Sequence, residues 1–595
     1  MADYVKLKDA RFAPFEKSIR EISAFDILDK FEKVGALDNY RRVSAGMTGG
    51  HNGFPWFHGL ICECITGISD LIGREYNEEL DARMDAIIAV IKQAQAADPE
   101  GFVNPFTTLM RPKMRFGLNG GSALWQHEIY NTGCLVEAGV HHYRATDKTA
   151  LLQCAVKAAN YYVNHVNHGE KWKVVCEHAV TEMALVELEE LLQEEPELAE
   201  KVGAKPGEYA MLAKLMVDYK GDHQGRHQFP PYLGEYSQDH RPAREQDEAV
   251  GHAVRAALFY AGMASVSRYY GDEGLKTAAE KIWANIAETK LHISGGVGAF
   301  RDNERFGYQY ELPNDAYLET CAGVALAFFG RELFTLKKDS GIFDVLDMTF
   351  TNLIAASVSA DFTRYTYENP LVSDGTYERW AWHDCPCCPP MLLKIVGTMP
   401  NYIFTMDGSQ LFLNMHVDAE AELSGIHFNY ENGVLTADNA EPMVIHIRVP
   451  QYAKNFTVNG MAIPEGYGYY DALLRPGKAL TVRFEEPAAK MTAHPFVTDD
   501  EGRVAIMKGA MLYAYEGEAE SFEAFDPVLD HSAPVLNSDG TVTVRTVSGE
   551  KLPLIEYPSW NNHGKKMMRI WLKQEGLTAD PEDLTGWEKK LYQPM

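Results

Sequence analysis

Gln410-Leu411-Phe412-Leu413-Asn414-Met415-His416-Val417 sets Leu411, Leu413, Met415 and Val417 on one side at a period of two, the signature of a half-buried strand. Met443-Val444-Ile445-His446-Ile447-Arg448-Val449 and Ala479-Leu480-Thr481-Val482-Arg483-Phe484 repeat the pattern. Between or beside these runs stand Asp407-Gly408, Asn432-Gly433 and Asn459-Gly460, dipeptides that tolerate positive φ in hairpin turns. A β-sandwich over residues 406–520 follows. Residues 521–595 keep further strands, Thr541 to Val547 and Lys566 to Leu572 among them, and read as a second small β domain or an extension of the sandwich.

On the N-terminal side of Thr405 the period is different. From about Glu16 to Thr405 apolar residues recur at helical spacing in segments broken by Gly, Pro and Asp, as in Asn77 to Ala97, Glu245 to Tyr270 and Asp315 to Leu336. About a dozen helices are predicted. In sequential pairs they suit a ring of hairpins closed into an α/α barrel, with loops at one end free to build a pocket. The expected fold class is a mainly α domain over 16–405 followed by all-β sandwich domains, with residues 1–15 as an extended segment pairing with the β region.

Composition excludes several classes. With 595 residues, 46% hydrophobic and 24% charged, the chain is globular and too long for one ordinary core. A net charge of -28 repels phosphate backbones and anionic lipid, so neither nucleic acid nor membrane is an expected partner. No apolar run reaches signal-peptide or membrane-span length, and a cytoplasmic location is expected. Nine cysteines, an odd number concentrated at one place, favour reduced thiols or metal ligands over a disulfide framework.

That place is Cys385-Pro386-Cys387-Cys388-Pro389-Pro390. The double proline before Met391-Leu392-Leu393-Lys394-Ile395-Val396 fits the first turn of a helix, which puts Cys387 and Cys388 at its N-terminus, where partial positive charge favours thiolate. Glu319-Thr320-Cys321 adds a thiol beside a carboxylate, and three sulfurs with one oxygen form a set that tetrahedral Zn²⁺ accepts. The competing reading is a closed structural zinc site pinning two segments together.

Glu304, in a loop that starts at Gly295-Gly296-Val297-Gly298, is the proton-donor candidate, although a loop glutamate is ordinarily a solvated charge. His127, Tyr130, Cys134, Glu137 and His141 share one helical side, as do Glu248, His252 and Arg255. His178 and Glu182 stand four apart, so the carboxylate is placed to orient the imidazole. Such polar stripes line sugar pockets in some barrels and are solvated faces in others.

Glu304-Arg305-Phe306, Leu312-Pro313-Asn314-Asp315, Glu319-Thr320-Cys321 and the Cys385–Pro390 run, in this order, resemble the cysteine-dependent β-L-arabinofuranosidases of glycoside hydrolase family 127. Gly251-His252-Ala253-Val254-Arg255 and Tyr367-Glu368-Asn369-Pro370 add to the likeness, which covers most of the chain. The resemblance implies an (α/α)6 barrel followed by β-sandwich domains. It also implies Zn²⁺ held by Glu319, Cys321, Cys387 and Cys388, Cys387 as nucleophile, Glu304 as general acid/base, and a retaining hydrolysis that passes through a thioglycosyl enzyme.

Similarity further assigns sugar contacts to His178, His252 and Tyr367, with His127 beside them. Departures fall at Cys134, where many members carry histidine, at Asp347, where they carry glutamate, and at Met391, where asparagine is usual; Cys134 and Asp347 are kept as sugar-binding candidates. The expected substrate is a terminal β-L-arabinofuranoside of an oligosaccharide or glycoconjugate, and a homodimer is the expected assembly. Alternatives are the same mechanism on a β-D-arabinofuranoside or a rare acidic sugar, and a non-hydrolytic zinc protein on the same barrel.

Overall fold

The computed structural model describes residues 4–169 and 171–595; residues 1–3 of the expected N-terminal segment lie outside the described residues. In chain order the principal helices are α1 (Ala24–Lys33), α2 (Phe57–Arg74), α3 (Glu78–Gln95), α4 (Glu128–Thr146), α5 (Ala150–His165), α6 (Thr181–Glu194), α7 (Glu208–Asp218), α8 (Ala253–Tyr270), α9 (Glu273–Thr289), α10 (Thr320–Leu336), α11 (Ser340–Met348) and α12 (Cys388–Thr398). Odd and even members play different parts. The even helices form a closed ring, α2 against α4, α4 against α6, and so on until α12 meets α2 again, while the odd helices pack outside them. This is an (α/α)6 barrel.

Residue pattern explains the division. The outer helix α1 buries Ile27, Leu28 and Phe31 and turns charged residues such as Glu32 and Lys33 outward, as a one-sided helix must. The inner helix α8 is buried at every position from Ala253 to Ser267, which only a helix surrounded by protein permits. Each large apolar side chain so buried contributes about 1.5–3 kcal/mol. Close approach within the ring needs small residues: a Cβ on Gly67 of α2 would lie 2.4 Å from the backbone of Leu393 in α12.

Beyond the barrel the described residues form three sheets. A seven-stranded sheet runs from Tyr4–Leu7 through Ala419–Leu423, Ile426–Glu431 and Val434–Ala437 to Ala479–Glu485, Lys454–Val458 and Met461–Ala462, so the N-terminal strand pairs antiparallel with Ala419–Leu423 of the C-terminal region. A four-stranded sheet joins Gly468–Leu474, Met443–Val449, Gln410–Leu413 and Phe404–Asp407. The third, with eleven strands, begins in the C-terminal region at Ala488–Ala493, takes in Val372–Asp374 from the barrel domain, and ends at Tyr592–Pro594; residue 520, where the sequence suggests a division, falls inside it. Among the described residues no helix is long and apolar enough to cross a membrane.

Candidate active site

Five of the six inner helices present their N-cap residue to one cavity: Trp56 for α2, His127 for α4, His252 for α8, Glu319 for α10 and Cys387 for α12. His178, just ahead of α6, supplies the sixth wall. The cavity measures about 440 Å³. Because every inner helix directs the positive end of its dipole here, the cavity favours anions, thiolates included.

Four ligand-type atoms meet on one wall. Cys321 Sγ lies 3.3 Å from Cys388 Sγ, and Cys387 Sγ lies 3.3 Å from Glu319 Oε1 and 3.9 Å from Cys388 Sγ, with Cys388 Sγ 3.8 Å from the same carboxylate oxygen. Glu319 Oε2 is buried without a partner. Burial, then the neighbouring Cys387 and Glu304, pushes the Glu319 carboxyl well above its ordinary range, and burial with the adjacent thiols does the same to Cys321. Like charges this close resist joint ionisation, whereas a cation at their centre lets all four ionise. The donor set therefore fits a metal ion, and Cys385, beside it in the cavity lining, stands outside the set.

Glu304 faces this wall from a tight turn in which Phe300 and Arg305 exchange backbone hydrogen bonds of 3.1 Å. Asn303 and Glu304 both adopt left-handed backbone, at φ 56 and 51, a strained pair for non-glycine residues. The turn is pinned by a bridge between Arg305 and His252, whose approach depends on Gly251: a Cβ there would meet Glu235 O at 1.9 Å. His252 Nε2 lies 2.5 Å from Glu304 Oε2, while Tyr317 and Tyr367 hydroxyls donate to Oε1 at 2.9 and 3.4 Å. Burial raises the Glu304 carboxyl, but the His252 bond, the Tyr317 hydroxyl and the Arg255 charge outweigh it and hold the group below its usual range. Ligand-type atoms of His252, Glu304 and Glu319 lie within 4.8 Å of one another, so the acid candidate and the thiol wall adjoin.

The remaining expected contacts divide. His178 lines the cavity with its ring 4.6 Å from that of Tyr130, and Tyr367 lines it with its ring 4.5 Å from His383. Glu182 does not orient His178: no hydrogen bond joins them, and both carboxylate oxygens of Glu182 are buried without partners. His127 lines the cavity, yet both of its nitrogens are engaged, Nδ1 with Trp125 O at 3.1 Å and Nε2 with Arg255 Nη2 at 3.2 Å.

Two expected contacts lie elsewhere. Cys134 does not line the cavity; it is one turn of α4 below Tyr130, fully buried, with its thiol toward Glu63 Oε1 at 3.8 Å. Asp347 is on the outer helix α11, where it pairs with the buried Arg448 of the four-stranded sheet at 2.5 Å and accepts from Tyr452 at 2.9 Å. Arg448, wholly inside the protein, requires carboxylates at that junction, and Asp344 and Asp347 supply them. Below Tyr130 the polar stripe of α4 turns into the barrel interior, Glu137 toward Lys394 and His141 toward Asp70.

Sequence reasoning passed over Tyr317 and Glu63. Glu63 is the acidic interruption in Leu60-Ile61-Cys62-Glu63-Cys64-Ile65, a signal readable in an otherwise apolar helix; it accepts from Tyr130, and burial pushes its carboxyl up to about 7 despite Lys394 nearby.

Residues 4–401 match the family described as β-L-arabinofuranosidase, GH127 catalytic domain, and residues 488–573 match the glycoside hydrolase family 127 C-terminal domain. The chain belongs to glycoside hydrolase family 127. This family 127 protein is 30% identical, over 83% of its own length and 86% of the relative's, to the non-reducing end β-L-arabinofuranosidase of Bifidobacterium longum subsp. longum. A GH127 β-L-arabinofuranosidase from Geobacillus stearothermophilus T6 superposes with a TM-score of 0.85 at 25% identity, covering 96% of this chain and all 100% of the other. A GH127 β-arabinofuranosidase structure gives 0.84 at 27% identity over 96% of each chain. As a member of the family the protein is a glycoside hydrolase of β-L-arabinofuranosidase type.

Proposed function

We propose that this protein removes terminal β-L-arabinofuranose from the non-reducing end of a glycan with retention of configuration, using Cys387 as nucleophile and Glu304 as acid and base. The observation that carries the reading is the juxtaposition of a thiol in a metal-type quartet with a hydrogen-bonded carboxylate in the same cavity. The specificity for β-L-arabinofuranose is taken from the bifidobacterial and Geobacillus relatives, whose names state it.

Glu319, Cys321, Cys387 and Cys388 would hold Zn²⁺, which when bound keeps its thiol ligands deprotonated at neutral pH. Bonds of about 2.0–2.3 Å around a tetrahedral Zn²⁺ would place neighbouring ligand atoms about 3.5–3.8 Å apart. The observed spacings of 3.3, 3.8 and 3.9 Å bracket that range.

The residues then act in two steps. Cys387 Sγ forms a bond to the anomeric carbon as the glycosidic C–O bond breaks, and Glu304 gives its proton to the departing oxygen. In the second step Glu304, now a carboxylate, takes a proton from water; the oxygen bonds to the anomeric carbon and the C–S bond breaks, returning the thiolate. Two displacements at one carbon retain its configuration, as carboxylate pairs do in other retaining glycosidases. His252, Tyr317 and Tyr367 hold Glu304 in place for both proton transfers.

The test is hydrolysis of p-nitrophenyl furanosides and pyranosides by metal-quantified protein, with the product anomer followed by NMR. Cleavage of the β-L-arabinofuranoside to the β-anomer first supports the reading; an inverted first product, or turnover by Cys387→Ala equal to wild type, refutes it.

A further inference from the structure

Arg255 is a buried cation with no carboxylate in direct contact. It is 4% exposed, lines the cavity from the first turn of α8, and among the described residues no carboxylate lies within ion-pair distance of it. Its Nη1 donates to the carbonyl of Glu177 and, at 3.5 Å, to Ser237 Oγ; its Nη2 donates to His127 Nε2 at 3.2 Å; its Nε is buried with no partner. A guanidinium has five N–H donors, so Nε and one Nη2 hydrogen are left over. The Tyr236 ring, 4.5 Å from the guanidinium carbon, fixes its plane.

His127 explains the orientation. Its Nδ1 faces the Trp125 carbonyl, which can only accept, so Nδ1 carries the proton and Nε2 offers the lone pair that Arg255 meets. No nitrogen of His127 remains for a sugar, whereas Arg255 lines the cavity and keeps one Nη2 hydrogen uncommitted. Leaving charged donors buried and unmet is costly unless a ligand answers them.

We propose that Arg255 binds the glycone, donating from its free Nη2 hydrogen to a hydroxyl oxygen of the sugar, and that His127 is the positioning residue that aims it. The inference rests on the glycosidase reading above. An arginine acting only through its charge on Glu304 would alter the pH profile and leave hydroxyl recognition untouched, and the experiment separates the two.

Wild type, Arg255→Met, Arg255→Lys, His127→Ala and the Arg255→Met/His127→Ala pair are assayed on the aryl glycoside panel, and then on monodeoxy analogues of whichever glycone wild type cleaves. Arg255→Met is expected to lose roughly 10- to 100-fold in kcat/KM, the effect of a hydrogen bond to a charged group. One deoxy position should cost wild type a comparable factor and cost Arg255→Met almost nothing. Arg255→Lys, which keeps the charge and folds most like wild type, should retain the pH profile and still lose discrimination at that position. His127→Ala should lose less, and add nothing in the double variant.

Deoxy penalties equal in wild type and both Arg255 variants at every position would overturn the inference while leaving the glycosidase reading intact. A metal-replete wild type that cleaves no member of the panel would overturn both.

Discussion

Cys387 Sγ stands 3.3 Å from Glu319 Oε1, so the N-caps of two neighbouring inner helices, 68 residues apart in sequence, share one point at the end of the barrel. Under the proposed mechanism that point is a metal site on which activity depends. Glu319→Ala and Cys321→Ala, neither of which removes the nucleophile, should each hold clearly less than one zinc per chain by elemental analysis and lose roughly a thousandfold or more in kcat. Full activity in protein stripped of metal by a chelator would be incompatible with this.

Glu304 should matter most where the leaving group needs a proton. Glu304→Gln is expected to lower kcat/KM on alkyl arabinofuranosides by about 10²- to 10⁴-fold and far less on dinitrophenyl glycosides, whose oxygen departs unaided. A loss independent of leaving-group pKa would assign Glu304 another role.

The declining limb of the pH profile follows from the pull of His252 and Tyr317 against burial, which holds the Glu304 carboxyl below its usual range in the free protein. The fraction carrying the proton therefore shrinks as pH rises above that depressed value, and kcat/KM should decline from mildly acidic toward neutral pH. His252→Gln weakens the pull, raises the Glu304 pKa and should move the declining limb to higher pH. An unmoved limb in a folded variant would detach it from Glu304.

Asp347 is predicted to act in stability. Removing it leaves Arg448 buried with only Asp344, and breaking a buried pair of this kind costs about 3–5 kcal/mol. Asp347→Ala should lower the Tm measured by calorimetry and leave KM unchanged. A raised KM at unchanged Tm would return Asp347 to the sugar.

The fold was legible where the period of apolar residues carried it. The change near Thr405 separates helices from sheets because burial on one side of a strand and on one stripe of a helix leave different spacings. The cluster of Glu319, Cys321, Cys387 and Cys388 was legible because thiols in such density have few other uses. What local pattern lacks is depth: Tyr130 and Cys134 are one turn apart on the same stripe of α4, yet only the first reaches the cavity. It also lacks partners in space, so neither the tie from Asp347 to Arg448 nor the engagement of His127 by Arg255 could be read from the chain. The convergence of N-caps on one cavity is a property of the closed ring, and no single segment encodes it.

The central claim is a sulfur–sugar bond on Cys387, and trapping it is the most direct measurement. In Glu304→Ala given a dinitrophenyl β-L-arabinofuranoside, the first displacement proceeds without an acid and the second stalls without a base. Acid quench, proteolysis and tandem mass spectrometry should then find one anhydropentose on the peptide bearing Cys387, and none in the variant that also carries Cys387→Ala. A sugar found on a carboxylate instead, or steady turnover with no adduct at any time, would contradict the account.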